Sequence, residues 1–212
     1  MCPEIGDFGK FTLKWDDVPG WSPEDNNTYT FPPVWNPYHH LIFANGYGYV
    51  PPPNEPFKPV SAPHMAIFLP NQTTTALEHP HAGILPPGGI GAGPRASQSA
   101  WWFDVYSSYF ACDTATEPCT IQAIGYQYKP NIKEEYPRVM QNFSIPACPK
   151  NFTTECELKK VDFEPGFRAL SSIQFQAFFE GNSSRQVFVM DDLALGWANN
   201  TCEAGLMRLR KK

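Results

Sequence analysis

No run of about eighteen apolar residues occurs in this 212-residue chain, so nothing in it reads as a membrane span. Charge is scarce, at 17% of residues, and leans negative, −5 at pH 7, which leaves no basic face for nucleic-acid phosphates. There is no CxxC, HExxH, GxSxG or P-loop, so the common zinc, serine-nucleophile and nucleotide signatures are missing. The glycine run from Gly88 to Gly93 follows prolines, precedes Pro94 and opens no helix, so it reads as a turn-rich loop. No stretch carries the 3.6-residue apolar period of an amphipathic helix. The basic cluster Arg208, Arg210, Lys211 and Lys212 closes a tail, 206–212, that reads as solvated.

What is present points to a folded secretory domain. Apolar residues make up 42% and aromatics 15%, which is too apolar for a disordered chain, and the length suits one domain over 1–212. Six of the twelve asparagines open an Asn-x-Ser/Thr acceptor: Asn26, Asn71, Asn142, Asn151, Asn182 and Asn199. The even cysteine set has two short spacings and one long one, and the expected bridges are Cys112–Cys119, Cys148–Cys156 and Cys2–Cys202. Both signals imply a secreted, extracellular or cell-wall glycoprotein. The chain opens Met1-Cys2-Pro3 with no apolar leader, so either a signal peptide has been removed or the chain starts late relative to its gene.

Runs of β-branched and aromatic residues bounded by turn residues predict strands over 11–17, 40–50, 65–69, 100–111, 120–128, 139–145, 157–163, 171–180 and 186–197. The 23 prolines predict loops wrapped over sheets, and 71–94 is the longest piece without a strand. The fold class is therefore all-β, a two-layer antiparallel sandwich of jelly-roll type, whose first and last strands can lie side by side.

Two aspartate pairs interrupt apolar strands: Asp16-Asp17 after Trp15 and Asp191-Asp192 after Met190. Counting by twos aligns Asp17 with Phe11, Leu13 and Trp15, and Asp191 with Val187, Val189, Leu193, Leu195 and Trp197. Buried carboxylates need compensation, either from a structural calcium or from backbone N–H donors. The segments Val187–Leu195 and Leu13–Asp17 resemble the closing and opening strands of galactose-binding-like β-sandwiches, including carbohydrate-binding modules. That resemblance implies a calcium joining the termini and a polysaccharide or glycan partner. Asp16-Asp17-Val18-Pro19 and Asn36-Pro37-Tyr38-His39-His40 also resemble segments of uncharacterised secreted fungal proteins, a likeness that implies no activity.

Trp21, Trp35, Tyr38, Trp101 and Trp102 are the candidate sugar-stacking residues, against the alternative that a sandwich core needs them. His79-Pro80-His81 has a spacing that metal ligands use, but loop histidines of this kind are usually solvated. Glu134, Glu135 and Asp104 are carboxylates that a hydrolase would need in a cleft. The leading expectation is a non-catalytic glycan-binding module, the alternative is a structural or interaction protein of the cell surface or host interface, and the third reading is a glycan-active hydrolase or lyase.

Overall fold

The computed structural model describes residues 6–20, 31–50, 57–73, 84–148, 156–181 and 184–210. Among these residues the chain forms β1 (Lys10–Leu13), β2 (Ile42–Phe43), β3 (Tyr47–Val50), β4 (Phe57–Lys58), β5 (Met65–Phe68), β6 (Gly89–Gly91) and β7 (Phe103–Cys112). It continues through β8 (Cys119–Lys129), β9 (Glu134–Ile145), β10 (Cys156–Glu157), β11 (Lys159–Asp162), β12 (Ser172–Phe179), β13 (Phe188–Trp197) and α1 (Cys202–Leu209). One sheet runs β11-β7-β13-β5-β3, with β1 also on β13, and the other runs β2-β6-β12-β8-β9. Both are antiparallel, and only the two-residue β4–β10 pair is parallel. The all-β sandwich is therefore the observed class.

The inner faces close on one apolar cluster. Leu13, Phe103, Val105, Phe110, Phe188, Met190, Leu193 and Leu195 come from the first sheet; Ile90, Ile121, Ala123, Ile173, Phe175 and Ala177 come from the second. Apolar residues alternate with polar ones along β12 and β8, although on β12 the polar members Ser172, Gln174 and Gln176 are buried as well. A second, smaller cluster covers the outer side of the first sheet. Val50, Phe57, Met65, Ile67, Ala111, Leu158 and Val189 pack there around the Cys148–Cys156 disulfide. Cys112–Cys119 closes the connection from β7 in one sheet to β8 in the other, and both bridges match the expected pairs. Cys202 is also disulfide-bonded, and its expected partner Cys2 lies outside the described residues.

Four sequence expectations change. The glycine run is a strand, because β6 sits between β2 and β12. It needs its glycines: a Cβ on Gly91 would come within 2.4 Å of the Ser172 Cβ, while Ile90 between them fills the core. The 40–50 segment breaks into β2 and β3 around Gly46, whose φ is +101°. The first strand stops at Leu13, since Trp15 takes a positive φ of 59° and turns the chain away. Finally, residues 202–209 are a helix. Thr201 caps it by accepting from the Ala204 N–H, with Glu203 in its first turn and Arg208 in its last.

Arg208 is not part of a solvated tail. It is fully buried, donating from Nε to the Asp7 carbonyl at 2.8 Å and from its other nitrogens to the carbonyls of Ala100 and Asn199. Its guanidinium stacks 4.6 Å from the Trp197 ring centre. The missing apolar period hid this helix, because its inward face is small residues and one arginine.

Candidate functional site

The outer face of the five-stranded sheet is laid out by register. Directly opposed residues share a face, so β9, β8 and β12 form cross-strand rows: Pro137, Tyr126 and Ser172; Met140, Ile124 and Gln174; Asn142, Gln122 and Gln176; Ser144, Thr120 and Phe178. The intervening residues Ile121, Ala123, Ile173, Phe175 and Ala177 point into the core. A groove of about 490 Å³ runs over these rows, lined by Ile124, Tyr126, Pro137, Val139, Met140, Gln174, Gln176 and Arg185 among others. It meets a second hollow of about 470 Å³, lined by Pro70, Asn71, Phe178 and Ser184, and the two share Gln176 and Arg185.

The polar side chains of the groove form one chain of hydrogen bonds. Tyr126 Oη donates to Gln174 Oε1 at 2.9 Å, and Gln174 Nε2 donates to the Pro87 carbonyl at 2.9 Å. Gln176, with its amide oxygen turned toward them, accepts from Gln174 Nε2 at 3.0 Å and from Arg185 Nε and Nη2 at 2.7 and 3.0 Å. Burial raises the Tyr126 phenol to about 12, with the nearby Glu135 carboxylate adding to the effect. Glu135 is itself buried and accepts from Ser171 Oγ at 2.5 Å and Ser172 Oγ at 2.8 Å. Burial raises its pKa, and the two hydroxyls pull it back only in part.

A second pocket, of about 480 Å³, is lined by Asp7, Phe11, Asp17, Pro37, Tyr38, His39, His40 and Trp197. The Tyr38 and Leu41 backbones bond each other in both directions, and His39 and His40 between them both take positive φ, 44° and 68°. That turn geometry normally recruits glycine or asparagine, so two histidines hold a conformation there that side chains seldom adopt. The Asn36 amide closes the loop against both backbone groups of Phe43. Tyr38 Oη donates to Asp17 Oδ1 at 2.5 Å, His39 Nε2 lies 3.0 Å from Asp17 Oδ2, and His40 Nε2 lies 3.2 Å from Asp7 Oδ2. Burial pulls the Asp17 carboxyl up, but the bonds from Tyr38 and His39 outweigh it and its pKa lies below the ordinary value. The Tyr38 phenol is pushed up by burial and by Asp17.

The expected calcium ligands do not converge. A bulge at Asp191 and Asp192, where Asp192 has a φ of 47°, inverts the side-chain parity of β13. Phe188 and Met190 face the core before it, and Leu193, Leu195 and Trp197 after it, so Asp191 falls on the opposite, covered side. Its carboxylate is filled by N–H donors: Oδ2 accepts from Val60 and Ser61 at 2.7 and 3.0 Å, and Oδ1 from Asp192 at 2.8 Å. Ser61 Oγ bonds Asp192 Oδ1 at 3.0 Å, and Asp16 Oδ1 accepts from His64 N at 3.3 Å. Asp17 is exposed and faces Tyr38 instead. This donor set holds the 60–64 loop, and among the described residues no three His, Cys, Asp or Glu side chains cluster as metal ligands.

The aromatic candidates scatter as well. Tyr38 and Trp101 are core, Trp102 is half-buried with its Nε1 on the Ala96 carbonyl, and Trp35 stands alone at 58% exposure. Trp21, His79, His81, Asn26, Asn151 and Asn182 lie outside the described residues. Asp104 accepts from the Ala169 N–H and from Tyr106 Oη, and makes no carboxylate pair with Glu135. The groove residues Tyr126, Gln174, Gln176 and Arg185 escaped the sequence reading. Their signal was present in Ile173-Gln174-Phe175-Gln176-Ala177, where the polar member of a strict alternation is twice glutamine.

A family model described as a domain of unknown function, DUF7371, matches residues 7–208. The chain belongs to the DUF7371 family. No curated protein matches this DUF7371 chain. Among solved structures it is similar to a DUF4465 family protein from Bacteroides caccae, with TM-score 0.43, 11% identity, and coverage of 89% of this chain and 86% of that one. It is also similar to the N-terminal CBM22-1 and GH10 modules of the Clostridium thermocellum endo-1,4-β-D-xylanase 10B, solved with xylohexaose, with TM-score 0.37 and 11% identity. That match covers 74% of this chain and 26% of the xylanase chain.

Proposed function

We propose that this chain is a secreted, non-catalytic module that binds a polysaccharide strand across the outer face of its five-stranded sheet. The observation that carries the reading is the groove itself. The exposed Arg185 guanidinium and Met140, with the half-buried Ile124, border a floor made by the buried Tyr126, Gln174 and Gln176, so hydroxyls and the C–H faces of a pyranose both find partners at its rim. The polar groups are fixed by one another before any ligand arrives, which lowers the ordering cost of binding. Each hollow falls within the roughly 300–1,000 Å³ common to ligand sites. Secretion is supported by two bridges in the described residues and six glycosylation acceptors. The 60–64 loop is held by Asp16, Asp191 and Asp192 through backbone donors and Ser61, without calcium. Unfolding in EDTA and then in calcium checks this last point, and a calcium-specific rise in Tm would overturn it.

The test of the main reading is affinity electrophoresis against a panel of neutral cell-wall polysaccharides. Retardation that is lost in Arg185→Ala and Gln176→Ala supports it, and no retardation on any polysaccharide sinks it. An interaction surface is less well supported, because the large exposed apolar residues Trp35, Val60, Ile84, Ile132, Tyr136 and Met140 are spread over separate elements.

One observation favours a second reading, a glycan-active enzyme. The pocket of Asp17, Tyr38, His39, Asp7 and His40 pairs each histidine with a carboxylate, the arrangement that orients an imidazole for proton transfer. New reducing ends or unsaturated products from a polysaccharide, abolished in His39→Ala, would establish it.

A further inference from the structure

One glycosylation acceptor sits on the groove face itself. Asn142 is exposed and shares a row with Gln122 and Gln176, while Phe143 turns inward, its ring 5.2 Å from that of Phe163. Met140, the next outward residue on β9, lines the groove. Same-face residues on a strand are about 7 Å apart, close to the width of one pyranose ring. A sugar on Asn142 Nδ2 therefore starts at the groove's edge, on the same face and one outward residue from Met140. A second acceptor, Asn71, lines the adjoining hollow with Gln176 and Arg185. Asn199 differs: its Nδ2 donates to Ser99 Oγ and its Oδ1 accepts from Thr201, far from these rows in the fold.

We propose that the N-linked glycan of Asn142 lies down in the groove and is its resident occupant, so that glycosylation gates access of outside polysaccharide. The inference rests on the reading of the groove as a sugar site. An N-acetylglucosamine carries both chemistries that the groove offers. Its acetamido group and hydroxyls meet the Gln122 and Gln176 amides, and its C–H face meets Met140 and Ile124. A free strand and this glycan need the same volume, so they compete.

The experiment uses the full chain made through a eukaryotic secretory pathway, with Ser144→Ala as the variant, which removes the acceptor but keeps Asn142. Glycopeptide mass spectrometry reads occupancy, native-state endoglycosidase release reads protection, and electrophoresis reads polysaccharide binding, with Thr153→Ala as a control that deletes the Asn151 acceptor. The expected result is an occupied Asn142 whose glycan is released at least tenfold more slowly in the folded than in the unfolded protein, and about tenfold tighter polysaccharide binding in Ser144→Ala alone. An unoccupied Asn142, or one released equally fast folded and unfolded, overturns the proposal. Equal polysaccharide binding with and without the glycan also overturns it, while leaving the groove reading intact. A protein that binds no polysaccharide in either form overturns the gating too, and with it the reading of the groove as a site for an outside strand.

Discussion

The two sheets of this sandwich are treated differently on their outer sides. The six-stranded sheet is covered twice, by the shared core within and by the Val50, Phe57, Met65 and Val189 cluster without. The five-stranded sheet has one apolar core face, and its outer rows form a groove whose floor is the buried, mutually bonded Tyr126, Gln174 and Gln176, with Met140 exposed and Ile124 half-buried beside them. A sheet buried on both faces has no surface left for recognition, so it serves stability, and the groove is free to be polar because that sheet carries the load.

Matched substitutions test this division most severely. Val189→Asp places a charge in the covered cluster and is expected to lose more than about 4 kcal/mol, while Ile124→Asp on the open face loses about 1 kcal/mol or less but weakens polysaccharide binding. Urea unfolding of both variants reads the contrast, and similar losses would erase it.

Next in size is the pH dependence centred on Asp191. Burial raises its carboxyl to about 7 from 3.8, although the N–H groups of Ser61, Asp192 and Val60 pull the other way. A raised folded-state pKa means the protonated form favours folding. This group's contribution is complete below about pH 4 and gone above about pH 7, a span on the order of 4 kcal/mol. The stability difference between wild type and Asp191→Asn, measured from pH 4 to 8, should fall along that curve, and a flat difference contradicts it.

Replacing Cys148 and Cys156 by serine loosens the strap over the covered face. The bridge spans eight residues, and its loss is expected to remove roughly 2–3 kcal/mol, seen as a lower urea midpoint with binding unchanged. The smallest change in stability belongs to Gln176→Ala, under about 1 kcal/mol, together with about tenfold weaker polysaccharide binding by titration calorimetry.

How much of this was legible in the sequence depends on the range of the forces. Strand identity in β7, β8, β9, β12 and β13 was readable, because period-two alternation is local. The two short disulfides were readable from spacing alone. The face that Asp191 occupies was not, since one bulged residue reverses parity and no local pattern announces it. Nor was β6, where glycine serves close approach to Ser172 rather than a turn. The groove was half legible. Alternating glutamines showed polar outward positions, but the register that lines up Met140, Ile124 and Gln174 belongs to three strands at once. The histidine pocket depends on Asp7, Asp17 and Trp197, which meet only when the two ends of the chain do.

That meeting sets the timetable of synthesis. β13 lies at the centre of the first sheet, pairing with β7 on one edge and with β5 and β1 on the other, yet it is the last strand to leave the ribosome. β1, β5 and β7 therefore wait as unpaired edges throughout translation, and Asp7 waits longer still for Arg208. The β3–β5 and β7–β11 pairs and the five-stranded sheet can form before β13 arrives. Until β13 is added, the two halves of the first sheet remain separate pairs, and its insertion between them is the step that closes the sandwich.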